Sequence, residues 1–486
     1  MSKRDLINGT TKDLMAKDLV VKDLVAGLIL LALVFLSKMF TMDLPYHWDE
    51  MGAYIPPAHW LSEGSLIRAV PGFYPAAKFF GHPTGLYLSL AIIYKAVGES
   101  LWISHLFAAG FAYLGILYTF LLGRFLYNRV VGFTAALFLF GTPLYFAQSG
   151  QVLGDIPITA FGVMSVYYAI RGKYLPYLIC SIYMLMLKET SLAIVAGLLI
   201  FILTTEWGKL KIGWKIIKYS VPGMFLGVFF VLQKMTTGHF FCNPYFESNP
   251  ALKLSISEIF VQFVWVSNWT LLMQHRWILI LSIVLAVVVH RRAAWKKEYT
   301  LFIMIMVFFV CAFSFLFFMT RYIQPVLPYL CIMSAASMTL LVKNFKLQMI
   351  VTVIVLAVFG TKYYENDRGY NCYDDNMQYM DIVNVNKDIC MHMQSEFEGE
   401  RILTIWPVYQ ALREPYLGYV EEPFEVVSLN QVSDIGDFDV LVFVENPGCG
   451  SDQLKVLIER EKMVLHRRFT RNGKPAEIYV HRGARD

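Results

Sequence analysis

The chain has 486 residues, of which 57% are hydrophobic and only 16% are charged, and its mean hydropathy is +0.50. These values exclude an ordinary soluble globule and indicate a polytopic α-helical membrane protein. The formal net charge is only +5, and lysines and arginines recur in short clusters between apolar runs, which argues against a nucleic-acid-binding face.

The N-terminal segment predicts a first membrane span that is not cleaved. Lys or Arg alternates with Asp up to Asp23, and an apolar run then extends from Leu24 to about Met42. This run is too long for the core of a signal peptide, and no small-residue cleavage site follows it. We therefore expect a cytoplasmic N-terminus and an extracytoplasmic position for the residues that follow Met42.

A candidate reaction centre comes directly after this span. The stretch 46–54, with the sequence YHWDEMGAY, brings two acids, an imidazole and several aromatic rings to the outer membrane surface. Keeping the Asp49–Glu50 pair half-desolvated is costly unless the pair binds a cation, a proton or a substrate. The alternative interpretation is a solvated loop inside an interfacial aromatic belt.

Two later apolar segments are interpreted as lying at the outer interface without crossing the membrane. The first, His82–Val97, is short and is interrupted by a proline, a glycine and a lysine, and the second extends from about residue 257 to 272. If neither crosses, the basic clusters between Arg124 and Lys346 all fall on the cytoplasmic side, as the positive-inside rule requires. About eleven spans are then predicted, several shorter than the ~20 residues of a perpendicular helix: roughly 24–42, 101–122, 131–147, 156–170, 174–187, 191–204, 219–233, 277–289, 300–319, 325–342 and 347–361.

The C-terminal part of the chain changes character and predicts a small extracytoplasmic α/β domain. Its signals are three short β-type runs, one helical pattern and one hairpin, at 401–407, 424–429, 439–445, 451–461 and 463–481. It has no glycine-rich phosphate loop and no nucleophile motif, which favours a cap or an acceptor-docking module. The sequence thus divides into a transmembrane catalytic domain, residues 1–361, and an extracytoplasmic α/β domain, residues 362–486.

The seven cysteines are scattered, with no CxxC motif and no His/Cys spacing typical of a metal site. Those in apolar segments are most simply small core residues. Cys372 and Cys390 lie in the polar tail, where a disulfide between them is compatible with an extracytoplasmic location.

The predicted topology collects polar residues from distant parts of the chain at one membrane face. They are Asp49, Glu50, His82, Asp155, Lys188, Glu189, Arg321 and Tyr322. Each has a structural explanation when taken singly: Asp155 before a proline can cap a helix, and Lys188 or Arg321 can snorkel. Acids and cations that converge on one interface are, however, the composition of a site for an anionic lipid headgroup together with a base.

Five motifs of the chain resemble, in order and at suitable spacing, the landmarks of the GT-C glycosyltransferases. The resemblance covers about residues 24–345 and is closest to the branch of protein O-mannosyltransferases and lipid A aminoarabinose transferases. The motifs are Trp48-Asp49-Glu50 with Tyr54, His82-Pro83-Thr84, Gly154-Asp155-Ile156-Pro157, Leu187-Lys188-Glu189-Thr190 and Arg321-Tyr322-Ile323-Gln324-Pro325. His82-Pro83-Thr84 departs from the family's usual His/Lys-Pro-Pro, which puts the start of the following helix in doubt.

This resemblance implies an inverting transfer of one sugar from a polyprenyl-phosphate donor to a lipid, glycan or protein acceptor at the extracytoplasmic face of the cell membrane. Asp49 matches the family's catalytic acid and is expected to be the base. The other expected roles are donor-phosphate binding by Lys188, Arg321 and His82, acceptor orientation or tuning of Asp49 by Asp155 and Glu50, and support from Tyr54, Glu189 and Tyr322. Asp49 and Asp155 are also the expected ligands of a divalent cation, Mg or Mn, but the sequence leaves metal dependence open.

Two other classes of function stay open at this stage. A transporter or flippase of a lipid-linked sugar would also be polytopic, although it should carry ionisable residues near the middle of its spans. A non-catalytic membrane subunit would explain the outer domain but gives no reason for acids and cations to converge. A GT-C ligase that acts on a lipid-linked oligosaccharide is the runner-up enzyme, and we expect such an enzyme to be larger.

Overall fold

The computed structural model describes residues 3–73, 82–209, 211–240, 255–291, 297–316, 318–365, 374–429, 438–446 and 450–481, with side chains from residue 21 onward. Within these ranges the α-helices are α1 (Lys3–Lys38), α2 (Ile55–Glu63), α3 (Gly85–Val97), α4 (Leu101–Leu126), α5 (Arg129–Gly141), α6 (Pro143–Gln148), α7 (Asp155–Ile170), α8 (Tyr174–Leu187), α9 (Leu192–Glu206), α10 (Ile212–Thr237), α11 (Ile256–Leu271), α12 (Trp277–His290), α13 (Lys297–Phe315), α14 (Leu327–Leu341), α15 (Phe345–Gly360), α16 (Tyr379–Glu396), α17 (Val408–Arg413) and α18 (Ser451–Arg460). The strands are β1 (Ile402–Thr404), β2 (Val426–Ser428), β3 (Val440–Val444), β4 (Val464–Arg471) and β5 (Lys474–Val480).

The helical part confirms the predicted polytopic membrane architecture. Six helical segments in the described ranges are long and apolar enough to cross a membrane: Val21–Thr41, Leu101–Leu126, Glu189–Glu206, Ile212–Thr237, Lys297–Phe315 and Thr320–Leu341. Six shorter apolar helices accompany them: Gly85–Val97, Arg129–Gly141, Asp155–Ile170, Tyr174–Leu187, Trp277–His290 and Phe345–Gly360. The number of crossings, about eleven from the sequence, stays a prediction because a 16-residue helix spans only ~24 Å.

Helices α4 and α5 pack closely because the sequence places glycines where the two helices meet. Asn128 caps α5, since its Oδ1 accepts a hydrogen bond from Val131 N at 2.9 Å. A Cβ atom at Gly132 would lie 2.3 Å from the carbonyl oxygen of Phe120, and one at Gly123 would lie 2.9 Å from Cα of Gly132. Only glycine therefore permits this approach, which fixes α5, α6 and the loop that follows them.

The C-terminal part forms the predicted α/β domain around one five-stranded sheet with the order β2-β1-β3-β5-β4. Strand β1 pairs in parallel with β2 and β3, whereas β5 is antiparallel to β3 and β4. The β4–β5 hairpin turns at Asn472-Gly473, where φ is 44° and 78°, as a two-residue hairpin loop requires. Helix α16 was not predicted, because its buried face includes the polar residues Asn386 and His392 and breaks the apolar period.

The described residues of the predicted α/β domain, 362–486, pack against the stretch 46–54. We call this domain the outer domain after its expected side of the membrane. Tyr46 N donates to Leu417 O at 3.2 Å, and the Tyr419 hydroxyl donates to Tyr46 O at 2.8 Å. Tyr46 and Met51 also share a hydrophobic core with the strands of the domain. The boundary between residues 361 and 362 stays a prediction, but the two parts pack as one unit.

The structure describes one of the two cysteines for which the sequence leaves a disulfide open. Cys390 is a buried free cysteine on α16. Its expected partner, Cys372, lies outside the described residues.

Candidate active site

Arg321 is the centre of a buried charge cluster. Its side chain is only 2% exposed, and each of its three nitrogen positions faces a different aspartate. Nη2 donates to Asp49 Oδ2 and Nη1 donates to Asp374 Oδ2, while Nε lies 3.1 Å from Asp155 Oδ2. Three carboxylates around one guanidinium leave an excess of negative charge, which is costly to bury unless a further cation or a proton joins the cluster.

The aspartates reach Arg321 from three separate parts of the chain. Asp49 follows Trp48, whose φ of 42° turns the backbone sharply, and precedes a π-helical turn, Glu50–Tyr54. Asp155 is the first residue of α7. Asp374 begins the segment that leads into α16 of the outer domain. Arg321 itself lies in the short 3₁₀ helix Thr320–Val326, at the start of a membrane helix.

The three carboxylates differ in how far solvent or a substrate can reach them. The side chain of Asp49 is 30% exposed, whereas those of Asp155 and Asp374 are 3% and 8% exposed. Asp49 is therefore the acid of the cluster that an incoming molecule can touch.

Glu50 lies beside the cluster, but its carboxylate contacts backbone N–H groups instead of Arg321. Oε2 accepts a hydrogen bond from His47 N at 3.0 Å, and Oε1 accepts one from Val152 N at 2.6 Å. Burial raises the pKa of Glu50 to about 7. These contacts connect the loop that carries Asp49 to the loop that leads into Asp155. Glu50 is therefore a residue that positions the two aspartates.

Lys188 adds a second cation close to Arg321. Its side chain is buried, and Nζ lies 3.6 Å from the centre of the Tyr322 ring. The guanidinium carbon of Arg321 lies 5.6 Å from the same ring, so the Tyr322 ring interacts with both cations. Next to Lys188, Glu189 Oε2 lies 3.0 Å from His82 Nδ1.

Tyr54, the last of the site residues predicted from the sequence, lies beside Gly154, the residue before Asp155. A Cβ atom at Gly154 would lie only 3.4 Å from the Tyr54 hydroxyl oxygen. Burial and the nearby carboxylate of Asp155 raise the pKa of Tyr54 well above its ordinary value, which keeps its hydroxyl protonated as a donor. The structure thus gathers the predicted residues at one place, with Glu50 turned toward the backbone.

Asp374 is the residue of the cluster that sequence reasoning missed. Asp374 O accepts a hydrogen bond from Gln148 Nε2 at 3.2 Å, and Asp375 O accepts one from Gln274 Nε2 at 2.9 Å. The Thr320 hydroxyl donates to Asp375 Oδ1. Membrane-side residues therefore hold this acidic pair at several points. The signal in the sequence was only an Asp-Asp pair early in the polar tail.

The oxygen donors of the three aspartates are those that Mg or Mn takes in proteins. In the observed arrangement, the guanidinium of Arg321 lies where a cation between Asp49 and Asp155 would have to bind. A divalent cation at these two residues would therefore have to displace Arg321.

A cavity of about 140 Å³ lies on the outer-domain side of Trp48. Its walls combine one indole ring with polar and apolar groups of the outer domain: Ile382, Val385, Asn386, Pro407, Val444, Glu445, Asn446, Lys474 and Pro475. The Trp48 ring also meets the Trp406 ring edge to face, with centroids 6.2 Å apart. Trp48, the residue before Asp49, thus forms one wall of a cavity that residues of the outer domain otherwise line.

The sequence matches no protein-family model and no curated protein at a significant level. The fold, in contrast, is similar to that of ArnT from Cupriavidus metallidurans. The apo structure of that protein matches with a TM-score of 0.60 at 13% identity, over 96% of this chain and 98% of that chain. The structure of ArnT bound to undecaprenyl phosphate matches with a TM-score of 0.59 at 15% identity, over 97% and 99% of the two chains. This likeness confirms the predicted GT-C-like fold, including the outer domain.

Proposed function

We propose that this protein is a membrane glycosyltransferase that moves one sugar from a polyprenyl-phosphate donor to a lipid, glycan or protein acceptor at the extracytoplasmic face. The observation that carries the proposal is the cluster of Asp49, Asp155 and Arg321 at the ends of apolar helices. The ArnT structure with bound undecaprenyl phosphate supports a donor of this class, because the two chains share a fold over almost their whole length.

Asp49 acts as the general base in this proposal. It is the accessible acid of the cluster, and its Oδ2 contacts the guanidinium of Arg321. In the reaction, the acceptor hydroxyl or amine attacks the anomeric carbon while Asp49 takes its proton. The bond between the anomeric carbon and the phosphate oxygen breaks from the opposite side, so the configuration inverts and the polyprenyl phosphate leaves.

The leaving phosphate needs positive charge, and Lys188 and Arg321 are the cations available in the cluster. Both are buried, so a charge-assisted contact to phosphate is strong there. His82, paired with Glu189, supplies a third positive group when it is protonated. Because the three aspartates already engage Arg321, the phosphate must weaken one of those ion pairs when it binds.

The cavity beside Trp48 supplies the approach of the acceptor. One of its walls is Trp48, the residue before Asp49, and its other walls combine aliphatic side chains with amide, carboxylate and ammonium groups. Such a mixture suits a polar acceptor that presents a hydroxyl or an amine to the base. The acceptor would therefore be held between the membrane part and the outer domain.

The test is mass spectrometry of lipid A, cell-wall glycan and exported proteins from three strains: cells that lack the gene, and the same cells complemented with either the wild type or Asp49→Asn. We expect one acceptor class to gain the mass of a single sugar with the wild type and not with the variant. Equal masses in all three strains, with both proteins present in the membrane, would overturn the proposal.

A further inference from the structure

A second group of ligand-type side chains lies in the outer domain, away from the charge cluster. His392 and Glu396 are one helical turn apart on α16, and His466 comes from β4. One ligand atom from each residue lies within 4.8 Å of the other two. Sequence reasoning found no metal-type spacing, because the two histidines are far apart in the chain and the helix that carries the first was not recognised.

The distances within this group are close to those of a tetrahedral metal site. Glu396 Oε1 lies 3.5 Å from His392 Nδ1, and Glu396 Oε2 lies 3.8 Å from His466 Nε2. Two ligand atoms bound to zinc at 2.0–2.1 Å and at the tetrahedral angle are about 3.3 Å apart. The two contacts of Glu396 must shorten by a few tenths of an ångström, and the three ligand atoms, which lie within 4.8 Å of one another, must draw together around the metal. The group can contract because the side chains of Glu396 and His466 are 44% and 28% exposed.

The strand is irregular at the point where it supplies its ligand. Leu465 pairs with Tyr479 and Arg467 pairs with Ile478, so His466 is the extra residue of a β-bulge. Bulges re-aim side chains and are enriched beside functional sites. Here the bulge brings His466 against α16, where its ring stacks on that of His392 at an interplanar angle of 21°.

His392 is the anchored member of the group. Its side chain is only 8% exposed, and its buried Nε2 atom has no hydrogen-bond partner among the described residues. The imidazole therefore depends on Nδ1, the atom that faces Glu396, for its polar contacts. Arg467 Nη1 lies 3.3 Å from the same atom. Because Arg467 is exposed and also packs over the Phe469 ring at 5.2 Å, it can move away when a metal binds.

We propose that His392, Glu396 and His466 bind a divalent transition metal, with zinc as the best fit and water in the fourth position. Two imidazoles and one carboxylate favour zinc over magnesium or calcium, which prefer all-oxygen sites. The metal fastens α16 to the β4–β5 hairpin. It thus stabilises the outer domain at a place separate from Arg321, whether or not the protein transfers sugar.

The experiment uses full-length, tag-free protein in detergent, stripped with a chelator and dialysed, to which zinc ions are added. We expect one zinc per chain by elemental analysis and a rise in the unfolding temperature on the order of 5 °C at saturation. His466→Ala and Glu396→Gln should lose both effects. His481→Ala and Glu398→Gln, which change a histidine and a glutamate of the same domain outside the group, should keep them.

Cobalt provides an independent readout, since tetrahedral Co²⁺ with nitrogen and oxygen ligands absorbs visible light. The wild type and the two control variants should show this absorption, and the two ligand variants should not. Absence of stoichiometric zinc in the wild type, or equal zinc in His466→Ala and Glu396→Gln, would overturn the proposal. A structural role without metal would instead alter the unfolding temperature of these variants equally with and without zinc.

Discussion

Arg321 on the membrane side and Asp374 on the side of the outer domain form a buried ion pair in which Nη1 donates to Oδ2. The pair closes a charge cluster that would otherwise contain only Asp49 and Asp155 as acids. The outer domain therefore sets part of the electrostatic balance at the place where we propose that the donor phosphate binds.

Asp374→Asn tests this balance. Removing one of the three negative charges leaves Arg321 freer to meet a phosphate, so undecaprenyl phosphate should bind about tenfold more tightly. The measurement is a binding titration with undecaprenyl phosphate in detergent. Asp381→Asn, a change of the same chemistry at an acid that bonds Asn472 instead, should leave the affinity unchanged. Weaker binding in Asp374→Asn would contradict the proposed competition.

Asp49→Asn tests the proposed base. The amide keeps the shape of the side chain but not its basicity, so the rate of sugar transfer should fall on the order of 10²–10⁴-fold. Folding and undecaprenyl phosphate binding should persist, because Asp49 is partly exposed and other groups supply the positive charge. A folded variant with the wild-type rate would remove Asp49 from the mechanism.

Chelation distinguishes a metal at Asp49 and Asp155 from the zinc that we propose in the outer domain. In the double variant His466→Ala/Glu396→Gln, the proposed zinc site is absent, so a chelator can act only on a metal elsewhere. We expect sugar transfer by this variant to be unaffected, because Arg321 already lies between Asp49 and Asp155. Loss of activity that returns with Mg or Mn would instead assign a divalent cation to these two aspartates.

Lys188→Ala is the clean test of the phosphate site. Replacement of Arg321 would leave three buried carboxylates without their counter-charge and would endanger folding, whereas Lys188 rests against the Tyr322 ring at the edge of the cluster. The loss of one charge-assisted contact should weaken undecaprenyl phosphate binding by about 10–100-fold. Lys95→Ala, at the end of α3, is the matched control, and equal affinities in the two variants would exclude Lys188 from the site.

His59 makes the stability of the docked outer domain depend on pH. Its Nδ1 lies 2.6 Å from Glu99 Oε2, its ring stacks on Tyr416 at 4.0 Å, and the hydrogen bond with Glu99 raises the pKa of His59. A histidine whose pKa is raised on folding stabilises the protein below its unfolded pKa, about 6.5, and this stabilisation is lost as the pH rises through the folded pKa.

The unfolding temperature of His59→Gln should therefore fall further below that of the wild type at pH 5.5 than at pH 9. His481→Gln serves as the control, since its ring contacts a backbone carbonyl instead of a carboxylate. A deficit of the same size at both pH values would mean that the Glu99 contact does not depend on protonation.

Cysteine labelling tests the predicted orientation of the chain in the membrane. Single cysteines at Lys211 and Asp452, both exposed in the structure, are placed in a background without the native cysteines. An impermeant thiol reagent should label position 452 in cells with a permeabilised outer envelope and should label position 211 only after lysis. The opposite pattern would place the charge cluster at the cytoplasmic face.

Much of the architecture follows from local pattern. The apolar run at 101–122 and the β-type run at 439–445 were predicted because each carries its own hydrophobic signal, and both became elements with nearly those bounds. Asp374 and His392 lack such a signal. Asp374 contacts Arg321, 53 residues away, and His392 contacts a strand that comes much later in the chain, so neither contact is visible in the sequence around the residue.

The dependence of the charge cluster on Asp374 also sets an order of events during biosynthesis. Arg321 enters the membrane well before Asp374 leaves the ribosome, and until then it has only Asp49 and Asp155 as acidic partners. The third acid arrives with the segment that begins the outer domain, after the last membrane helix has been inserted. A nascent chain that has completed its membrane part therefore holds an unfinished site, and newly made protein acquires its final charge balance only once the outer domain has folded and docked.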